Sequence, residues 1–438
     1  MIGQIIFILL AVIVFYLAFG RFNQIRKNIL LGIDEKIEGD SAKRWKRVLL
    51  IAFGQKKMFK NLIPAVFHFF IYAAFLLTQI ELIEIFLDGG FGQHRFFADK
   101  IGGLYPFIIN LIEFLSLGAF IATIIFLSRR NLLKLPRFTK PEMKGWPSLD
   151  ANLILFGEIL LLIGIFSMNG ADVVLQSLEP EHYKSTGNLL ISSWVGPLLF
   201  SKMDVSTLHI IERMGWWLHI SVVFGFILYL PVSKHLHIFL SFPNVYYTRL
   251  DPKGKMENMP EIMNEVKNMF GIPLETSSTS DLDAIPVFGA NDVMSLSWKN
   301  NMDAYSCTEC GRCTAECPAN ITGKKLSPRK IMMDVRDRAT EVGEYIKAHK
   351  ITKEEFNDGK SLFDYISREE IHACTTCNAC VEACPVLINP LEIILKLRRY
   401  EILTESAGPA EWVPMFNSIE NAGSPWQMNV DRDEWTRS

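Results

Sequence analysis

Cysteine side chains are the residues of this sequence whose type and spacing most clearly indicate chemistry. The 438-residue chain has eight cysteines, and all of them lie between Cys307 and Cys384. They form two copies of the spacing C-x2-C-x2-C-x3-C-P, CTECGRCTAECP at 307–318 and ACTTCNACVEACP at 373–385. Disulfide frameworks belong mainly to small secreted domains. The cysteines of this long chain therefore predict metal ligation in a reducing compartment.

The repeated spacing also indicates the kind of metal centre. A tetrahedral zinc site normally takes two separated ligand pairs and does not need four crowded cysteines. In the bacterial ferredoxin pattern, three closely spaced thiolates bind one [4Fe–4S] cluster and the fourth cysteine ligates the other cluster. Two copies that use every cysteine therefore favour two [4Fe–4S] clusters over zinc. The predicted ligands are Cys307, Cys310, Cys313 and Cys384 for one cluster, and Cys374, Cys377, Cys380 and Cys317 for the other.

Helix signals occupy the segment between the two motifs. Residues 327–350 are predicted to form a helix, with Ser327 as its N-cap and Pro328 as its first residue. Residues 354–371, EEFNDGKSLFDYISREEI, are predicted to form a second helix. We therefore expect the clusters to lie near the centre of a mainly helical domain.

Long apolar stretches occupy the first half of the chain. Apolar residues make up 49% of the sequence, and five stretches approach the roughly 20 residues needed to cross a bilayer. The first, IGQIIFILLAVIVFYLAFG, lacks the basic leader and cleavage site of a signal peptide, so we interpret it as an uncleaved span. The predicted transmembrane segments are about 2–20, 62–86, 104–128, 151–169 and 207–232.

Together these features predict an all-α protein, in which a five-helix transmembrane bundle precedes a mainly helical ferredoxin-type domain with two [4Fe–4S] clusters. Polar residues with Pro, Ser and Asp after position 240 indicate a linker between the two parts. The predicted organisation is a transmembrane domain at 1–240, a linker at 241–300, a dicluster domain at 301–400 and a C-terminal connector at 401–438.

Lysine and arginine counts in the connections predict the orientation in the membrane. Residues 21–61 contain eleven and 129–150 contain six, whereas 87–103 and 170–206 contain two each. The N-terminus is therefore expected outside an inner (cytoplasmic) membrane, and the cysteines in the cytoplasm. The net charge of −2 and the lack of an isolated basic tract give no indication of nucleic-acid binding.

Histidines in the apolar segments are candidate haem ligands, because neutral imidazole is a common axial ligand of haem iron. His68 lies in AVFHFFIYAAF, His219 in GWWLHISVVFGF, and His235 and His237 in LPVSKHLHIF. We favour His68 with His219 as ligands of one haem b. His219 and His237 are 18 residues apart, or five helical turns, and this spacing would let one helix face hold two stacked haems.

Two alternatives stay open for these polar groups. The imidazoles could instead hydrogen-bond to neighbouring helices, most of all His235 and His237 at the inner edge. A second haem would need a ligand ten residues before His68, where Met58 stands. Glu113 and Glu158 lie inside predicted spans and could either relay protons to a quinone or pair with another helix.

The two cysteine motifs with their flanks, WKNNMDAYSCTECGRCTAECPANITGKKLSPRKIMMDVRD and ACTTCNACVEACPVLINPLEIILKLRR, resemble the dicluster domain of heterodisulfide-reductase-like iron–sulfur oxidoreductases. The resemblance extends to membrane-anchored members that accept electrons from electron-transfer flavoprotein and reduce quinone. GQKKMFKNLIPAVFHFFIY, WWLHI and LPVSKHLHIF are similar to a nitrate reductase gamma-like cytochrome b anchor. By this resemblance His68 and His219 would ligate one haem b, and His237 could ligate a second.

The resemblance also implies a partner. Single-chain relatives continue after this connector into a catalytic domain with CCG motifs, whereas no cysteine follows Cys384 here. We therefore expect a separate CCG-type catalytic subunit or electron-transfer flavoprotein as the donor, and a membrane quinone as the acceptor, in an oxidoreductase subunit that conducts electrons. Two alternatives are a haem-free anchor for a soluble iron–sulfur oxidoreductase and a redox sensor.

Overall fold

The computed structural model describes residues 1–183, 186–252, 254–256, 258–273, 287–426 and 433–437. Within these residues the chain is helical without strands, and five helices are long and apolar enough to cross a membrane. The predicted fold class, an all-α five-helix bundle followed by a helical ferredoxin-type domain, is confirmed. The five long helices are α1 (Ile2–Ile29), α2 (Leu62–Phe91), α3 (Leu104–Asn131), α4 (Trp146–Leu178) and α6 (Val205–Tyr229), with the short α5 (Ser192–Phe200) before the last.

Helices α1 to α4 exceed their predicted apolar segments, because polar residues at their ends continue the helix beyond the hydrocarbon core. Helix α6 ends at Tyr229, three residues before the predicted end at 232. The remaining helices of eight or more residues are α7 (His237–Tyr246), α8 (Pro260–Met269), α9 (Trp298–Tyr305), α10 (Pro328–His349), α11 (Pro390–Arg399) and α12 (Val413–Ala422). Short α-helical segments are Ser41–Arg47, Ala98–Ile101, Arg312–Ala315, Pro318–Ile321, Arg368–His372 and Ala379–Ala383. π-Helical turns occupy Val48–Phe53 and Tyr400–Thr404. Turns of 3₁₀-helix occupy Met58–Lys60, Pro136–Phe138, Pro141–Met143, Leu230–Val232, Lys234–Leu236, Leu362–Asp364, Ala410–Trp412 and Glu434–Thr436.

His219 and His237 do not lie on one continuous helix. The helix α6 ends at Tyr229, and α7 begins only at His237. Between them, Pro231 cannot donate a helical hydrogen bond, and the backbone that follows is extended at Ser233 (φ −116°, ψ 164°). The prediction that the two histidines share one helix face is therefore wrong.

Helix α10 is the central helix of the cysteine-containing domain. It begins at Pro328 after Ser327, whose side chain accepts a hydrogen bond from the N–H of Lys330, as predicted. The prediction of a second helix at 354–371 is wrong for most of that segment, because only Leu362–Asp364 and Arg368–His372 are helical. Gly359 has a φ of +71°, a backbone conformation that interrupts a helix.

The domain of the cysteines packs directly against one end of the bundle. Asn28, in the last turn of α1, donates from Nδ2 to the hydroxyl of Tyr305 at 3.0 Å. A Cβ atom at Gly343 would overlap the Asn28 side chain, so a glycine is needed for α1 and α10 to approach this closely. Arg329, which is fully buried, donates to Glu142 in the α3–α4 connection at 2.7 Å. Direct contacts therefore place the cysteines beside the membrane helices.

Candidate cofactor sites

The structure brings the cysteines together in two sets that mix the two motifs. Cys384, from the second motif, interacts electrostatically with Cys307 and Cys313 of the first. These residues and Cys310 line one cavity. In the described residues no three His, Cys, Asp or Glu side chains are grouped tightly enough for a single metal ion.

The second set forms around Cys317. Cys374 and Cys380 each interact with Cys317 as well as with Cys377. Cys377 is exposed, whereas Cys317 and Cys380 are buried. This set therefore lies closer to solvent than the first. Its position is suited to the exchange of electrons with a partner.

Burial strongly affects the thiols of the first set. It raises the pKa of Cys307 and of Cys384 to about 12 and that of Cys313 well above its ordinary value, with neighbouring thiolates adding to the effect. Thiolates, not thiols, ligate iron, so the positive charge of a bound metal has to compensate for this desolvation. The donor set, four sulfurs around a buried space, fits an iron–sulfur cluster.

A cavity of about 1110 Å³ joins the first set of thiols to the membrane bundle. Its lining includes Cys307 and Cys310 together with His68, His219 and His237. Ordinary ligand sites measure about 300–1,000 Å³, so the space is large enough for a macrocycle. Met58 also lines it. The candidate haem ligands and one set of cysteines thus share a single cavity.

Close helix packing positions His219. A Cβ at Gly215 would lie 2.7 Å from the backbone nitrogen of Met168, and a Cβ at Gly164 would lie 3.0 Å from that of His219. Small residues at such crossings let membrane helices approach closely. As a result, Nδ1 of His219 lies 3.2 Å from the carbonyl oxygen of Leu161. With Nδ1–H donated to this carbonyl, Nε2 is the free acceptor.

His68 and His237 have the same arrangement. Nδ1 of His68 lies 3.1 Å from Oε1 of Gln55, and Nδ1 of His237 lies 2.8 Å from the carbonyl oxygen of Lys234. Gln55 has a left-handed backbone (φ +48°) in the loop before α2, and its side chain is buried. In each histidine the Nδ1 contact leaves Nε2 available for a metal, as the hydrogen-bond partners of metal-bound histidines do. Sequence reasoning missed Gln55, because no pattern in the sequence connects it with His68.

His237 also lies near His68, with which it interacts electrostatically. His68 therefore has two candidate partners for a shared iron, His219 and His237. His235 takes a different position, with its Nε2 3.6 Å from the carboxylate of Glu158. Burial lowers the pKa of His235 to about 3 and lowers that of His237, so both imidazoles are neutral at pH 7.

The structure separates the two glutamates that the sequence singled out. Glu113 accepts hydrogen bonds from the backbone N–H groups of Ile191 at 2.8 Å and Ser192 at 3.2 Å, so it holds the start of α5. Glu158 lines the large cavity and accepts a hydrogen bond from Thr123 at 3.0 Å. Glu158 is therefore placed to act on a cavity ligand, and Glu113 has a structural role.

Glu309, inside the first cysteine motif, links the cysteine domain to the membrane bundle. Its buried carboxylate lies 2.6 Å from Nζ of Lys234 and 2.7 Å from Nη1 of Arg336. Burial alone would raise the pKa of this carboxyl, but the two cations outweigh it and hold the pKa below its usual range. Because the carbonyl of Lys234 contacts His237, one residue joins the cysteine motif to a candidate haem ligand. Sequence reasoning missed this pair, which is 75 residues apart.

We expect Glu309→Gln to lower the free energy of unfolding by about 1.5–3 kcal/mol, because it removes the charge-assisted hydrogen bonds to Lys234 and Arg336. The loss is partial, since Asp150 lies 3.7 Å from Nζ of Lys234 and Asp337 lies 2.9 Å from Nη2 of Arg336. Lys234→Met should lower the free energy of unfolding by less, since Arg336 still neutralises Glu309. Thermal unfolding of the purified chain measures both. The matched control is Glu369→Gln, which breaks the exposed pair with Lys325 and should change stability by no more than about 1 kcal/mol. An equal effect of Glu309→Gln and Glu369→Gln would contradict the prediction.

Comparison with protein families identifies the class of the cysteine domain. Residues 306–388 match the 4Fe-4S dicluster domain, so the predicted iron–sulfur class is confirmed. The chain is therefore a membrane protein with a [4Fe–4S] dicluster domain.

Three relatives extend this identification. The chain is 27% identical to the probable iron-sulfur-binding oxidoreductase FadF of Bacillus subtilis, over 93% of this chain and 57% of the relative. It is 27% identical to the EtfAB:quinone oxidoreductase of Syntrophomonas wolfei, over 66% of this chain and 40% of the relative. It is 31% identical to a subunit of the ferredoxin/F(420)H(2)-dependent CoB-CoM heterodisulfide reductase of Methanosarcina acetivorans, over 26% of this chain and 55% of the relative.

These homologues are named oxidoreductases or reductase subunits, so the predicted kinship with heterodisulfide-reductase-like iron–sulfur oxidoreductases is confirmed. The chain spans about half the length of the first two relatives, 57% and 40%. No solved structure matches the chain.

Proposed function

We propose that this chain is a membrane electron-transfer subunit, which passes electrons from a cytoplasmic donor through two [4Fe–4S] clusters and haem b to a membrane quinone. The observation that carries the proposal is the single cavity that contains both the first set of thiols and the three histidines. Bound clusters and haem supply one-electron chemistry, and the protein supplies their ligation, spacing and electrostatics.

The chain's own residues have distinct roles in this proposal. Cys307, Cys310, Cys313 and Cys384 hold the cluster beside the bundle. His68 and His219 present Nε2 to the haem, with His237 as a further ligand, while carbonyl oxygens fix their tautomers. Glu158 lines the same cavity and is placed to exchange a proton with a quinone. The second set holds the outer cluster through Cys374, Cys377, Cys380 and Cys317.

The donor is proposed from the relatives. One relative is named an EtfAB:quinone oxidoreductase, and another is a subunit of a heterodisulfide reductase. We therefore propose electron-transfer flavoprotein or a CCG-type catalytic subunit as the partner. The exposed Cys377 marks the side of the domain where such a donor would approach. In this arrangement the N-terminus lies outside the inner membrane and the clusters face the cytoplasm, where thiols stay reduced.

The test is the haem b content of anaerobically purified protein, by pyridine haemochrome and normalised to non-haem iron, followed by reduction of that haem with a short-chain quinol. We expect at least one haem per chain and a quinol-dependent rise of its reduced absorbance band. Absence of haem would reject the conduit and leave the anchor as the function. If dithionite reduces the haem but quinol does not, the proposal that a quinone is the acceptor is rejected.

A further inference from the structure

Glu81, on α2, stands between two cavities. It lines the large cavity of the candidate haem ligands. It also lines a smaller cavity of about 300 Å³, which includes Met1 and Gln4 at the start of α1. Because the other end of α1 contacts the dicluster domain, the smaller cavity opens at the far end of the bundle. Among the residues that the structure describes, Glu81 is the one that both linings share.

The carboxyl of Glu81 is buried without full compensation. The residue is 3% exposed, and its Oε1 has no hydrogen-bond donor among the described residues. The nearest cation is Arg95, whose Nη1 lies 3.9 Å from that oxygen. An unpaired carboxylate buried away from water costs several kcal/mol, whereas a neutral carboxyl costs much less. A carboxyl in this environment, facing space on both sides, can bind a proton and release it again.

Several polar groups around Glu81 are hydrogen-bonded to one another. Arg95 donates to Asp172 at 2.9 Å and to Asn169 at 2.8 Å. Glu84 accepts from the hydroxyl of Tyr105 at 2.8 Å. The charged groups that face Glu81 are Arg95, Glu84 from its own helix and Glu113 from α3. Asn169 also hydrogen-bonds to the carboxyl of Glu81, but Oε1 of Glu81 keeps no donor among the described residues and the residue lines both cavities.

The smaller cavity connects this carboxyl to solvent. Its lining contains the carboxylates of Asp88, Asp172 and Glu212 besides Glu81 and Glu84, against the guanidinium groups of Arg95 and Arg213. His94 also lines it, at 26% side-chain exposure and 3.2 Å from Asp172. The acidic excess favours protons and other cations over anions in this space.

We propose that Glu81 carries protons between the smaller cavity and a quinone that reacts at the large cavity. The inference rests on the proposed quinone function. Reduction of one quinone to quinol takes two electrons, delivered through the chain's cofactors, and two protons. Glu81 delivers each proton by breaking its O–H bond as the quinone oxygen forms one, and the carboxylate is then protonated again from the smaller cavity. Quinol oxidation runs the same transfers in reverse.

The experiment compares the wild-type chain with Glu81→Gln, Glu81→Asp and Glu113→Gln. The last is the matched control, since Glu113 is buried in the same bundle and engaged by backbone N–H groups. Stopped-flow spectroscopy follows haem reduction by duroquinol, which releases protons, and by dithionite, which does not require them. General acid–base groups contribute about 10²–10⁴-fold, so Glu81→Gln should slow duroquinol-driven reduction by about 100-fold or more.

Haem content and dithionite reduction should stay unchanged in Glu81→Gln. Glu113→Gln, whose charge acts on Glu81 only through space, should keep the wild-type haem content and a duroquinol rate close to that of the wild type. Glu81→Asp, which keeps a carboxyl one methylene further back, should recover part of the rate. If Glu81→Gln holds no haem, Glu81→Ala, which also lacks a carboxyl, decides in its place, and a wild-type duroquinol rate there overturns the inference. An unchanged duroquinol rate in Glu81→Gln overturns it as well. Failure of the wild-type chain to react with duroquinol would overturn the proposed function and the inference together.

Discussion

Cys384→Ser should abolish the same iron–sulfur cluster as Cys310→Ser, although these residues come from different motifs. The geometry groups Cys384 with Cys307 and Cys313 around the large cavity, and the loss of one thiolate removes the whole cluster it helps to hold. Each substitution should therefore remove about half of the non-haem iron, because one of two [4Fe–4S] clusters is lost. The remaining cluster should give the same electron paramagnetic resonance spectrum in both variants.

A second pair of substitutions tests the same assignment for the other cluster. Cys317→Ser and Cys377→Ser should both retain the cluster near the bundle, with a spectrum distinct from that of the first pair. Ligation within single motifs predicts the opposite matching, so that Cys384→Ser would resemble Cys377→Ser. That result would contradict the crossed assignment.

His219→Leu should remove haem b while the iron–sulfur iron stays constant. A lost axial ligand cannot be replaced by the leucine, so haem per polypeptide should fall by about tenfold or more. Gln55→Leu gives a graded test, because it removes only the partner of Nδ1 in His68. Loss of the hydrogen-bond partner of a metal-bound histidine typically weakens metal binding by about 10–100-fold. Titration of the haem-free chain with haemin measures this decrease as a shift in the dissociation constant.

His182→Ala is the control for the histidine series, since His182 is exposed and lies at the other end of the bundle. It should keep the full haem content. His237→Leu distinguishes the two candidate partners of His68. If His237→Leu loses the haem and His219→Leu keeps it, the iron is shared by His68 and His237, and the favoured pair is wrong.

The class of this protein follows from local properties of its sequence. Eight cysteines in a repeated C-x2-C-x2-C-x3-C-P spacing indicate [4Fe–4S] ligation, because the spacing of thiolates along a short segment does not depend on the rest of the fold. Five long apolar segments indicate membrane helices for a similar reason, since hydrophobicity along a segment needs no knowledge of its neighbours. The N-cap Ser327 and Pro328 likewise located the start of α10.

Local signals failed where an interruption of the helix decided the geometry. The 18-residue spacing of His219 and His237 indicated one helix face, but Pro231 and the extended backbone at Ser233 break the helix between them. The segment 354–371 has helix-forming residues, yet Gly359 at positive φ and the packing of the domain keep its first part irregular. In both cases a helix breaker within the segment, Pro231 or Gly359, outweighed the helical spacing or composition around it.

Which polar groups meet became clear from the tertiary structure alone. Lys234 pairs with Glu309 across 75 residues, and Gln55 orients His68 from a loop with a left-handed backbone. Glu113 and Glu158 both lie inside predicted spans, so the sequence does not distinguish them. In the structure Glu113 accepts hydrogen bonds from backbone N–H groups, and Glu158 lines the large cavity.

No sequence pattern singles out Glu81, because its significance comes from the two cavities that it lines. Distances between side chains depend on how helices pack, and packing is a property of the whole chain rather than of any segment.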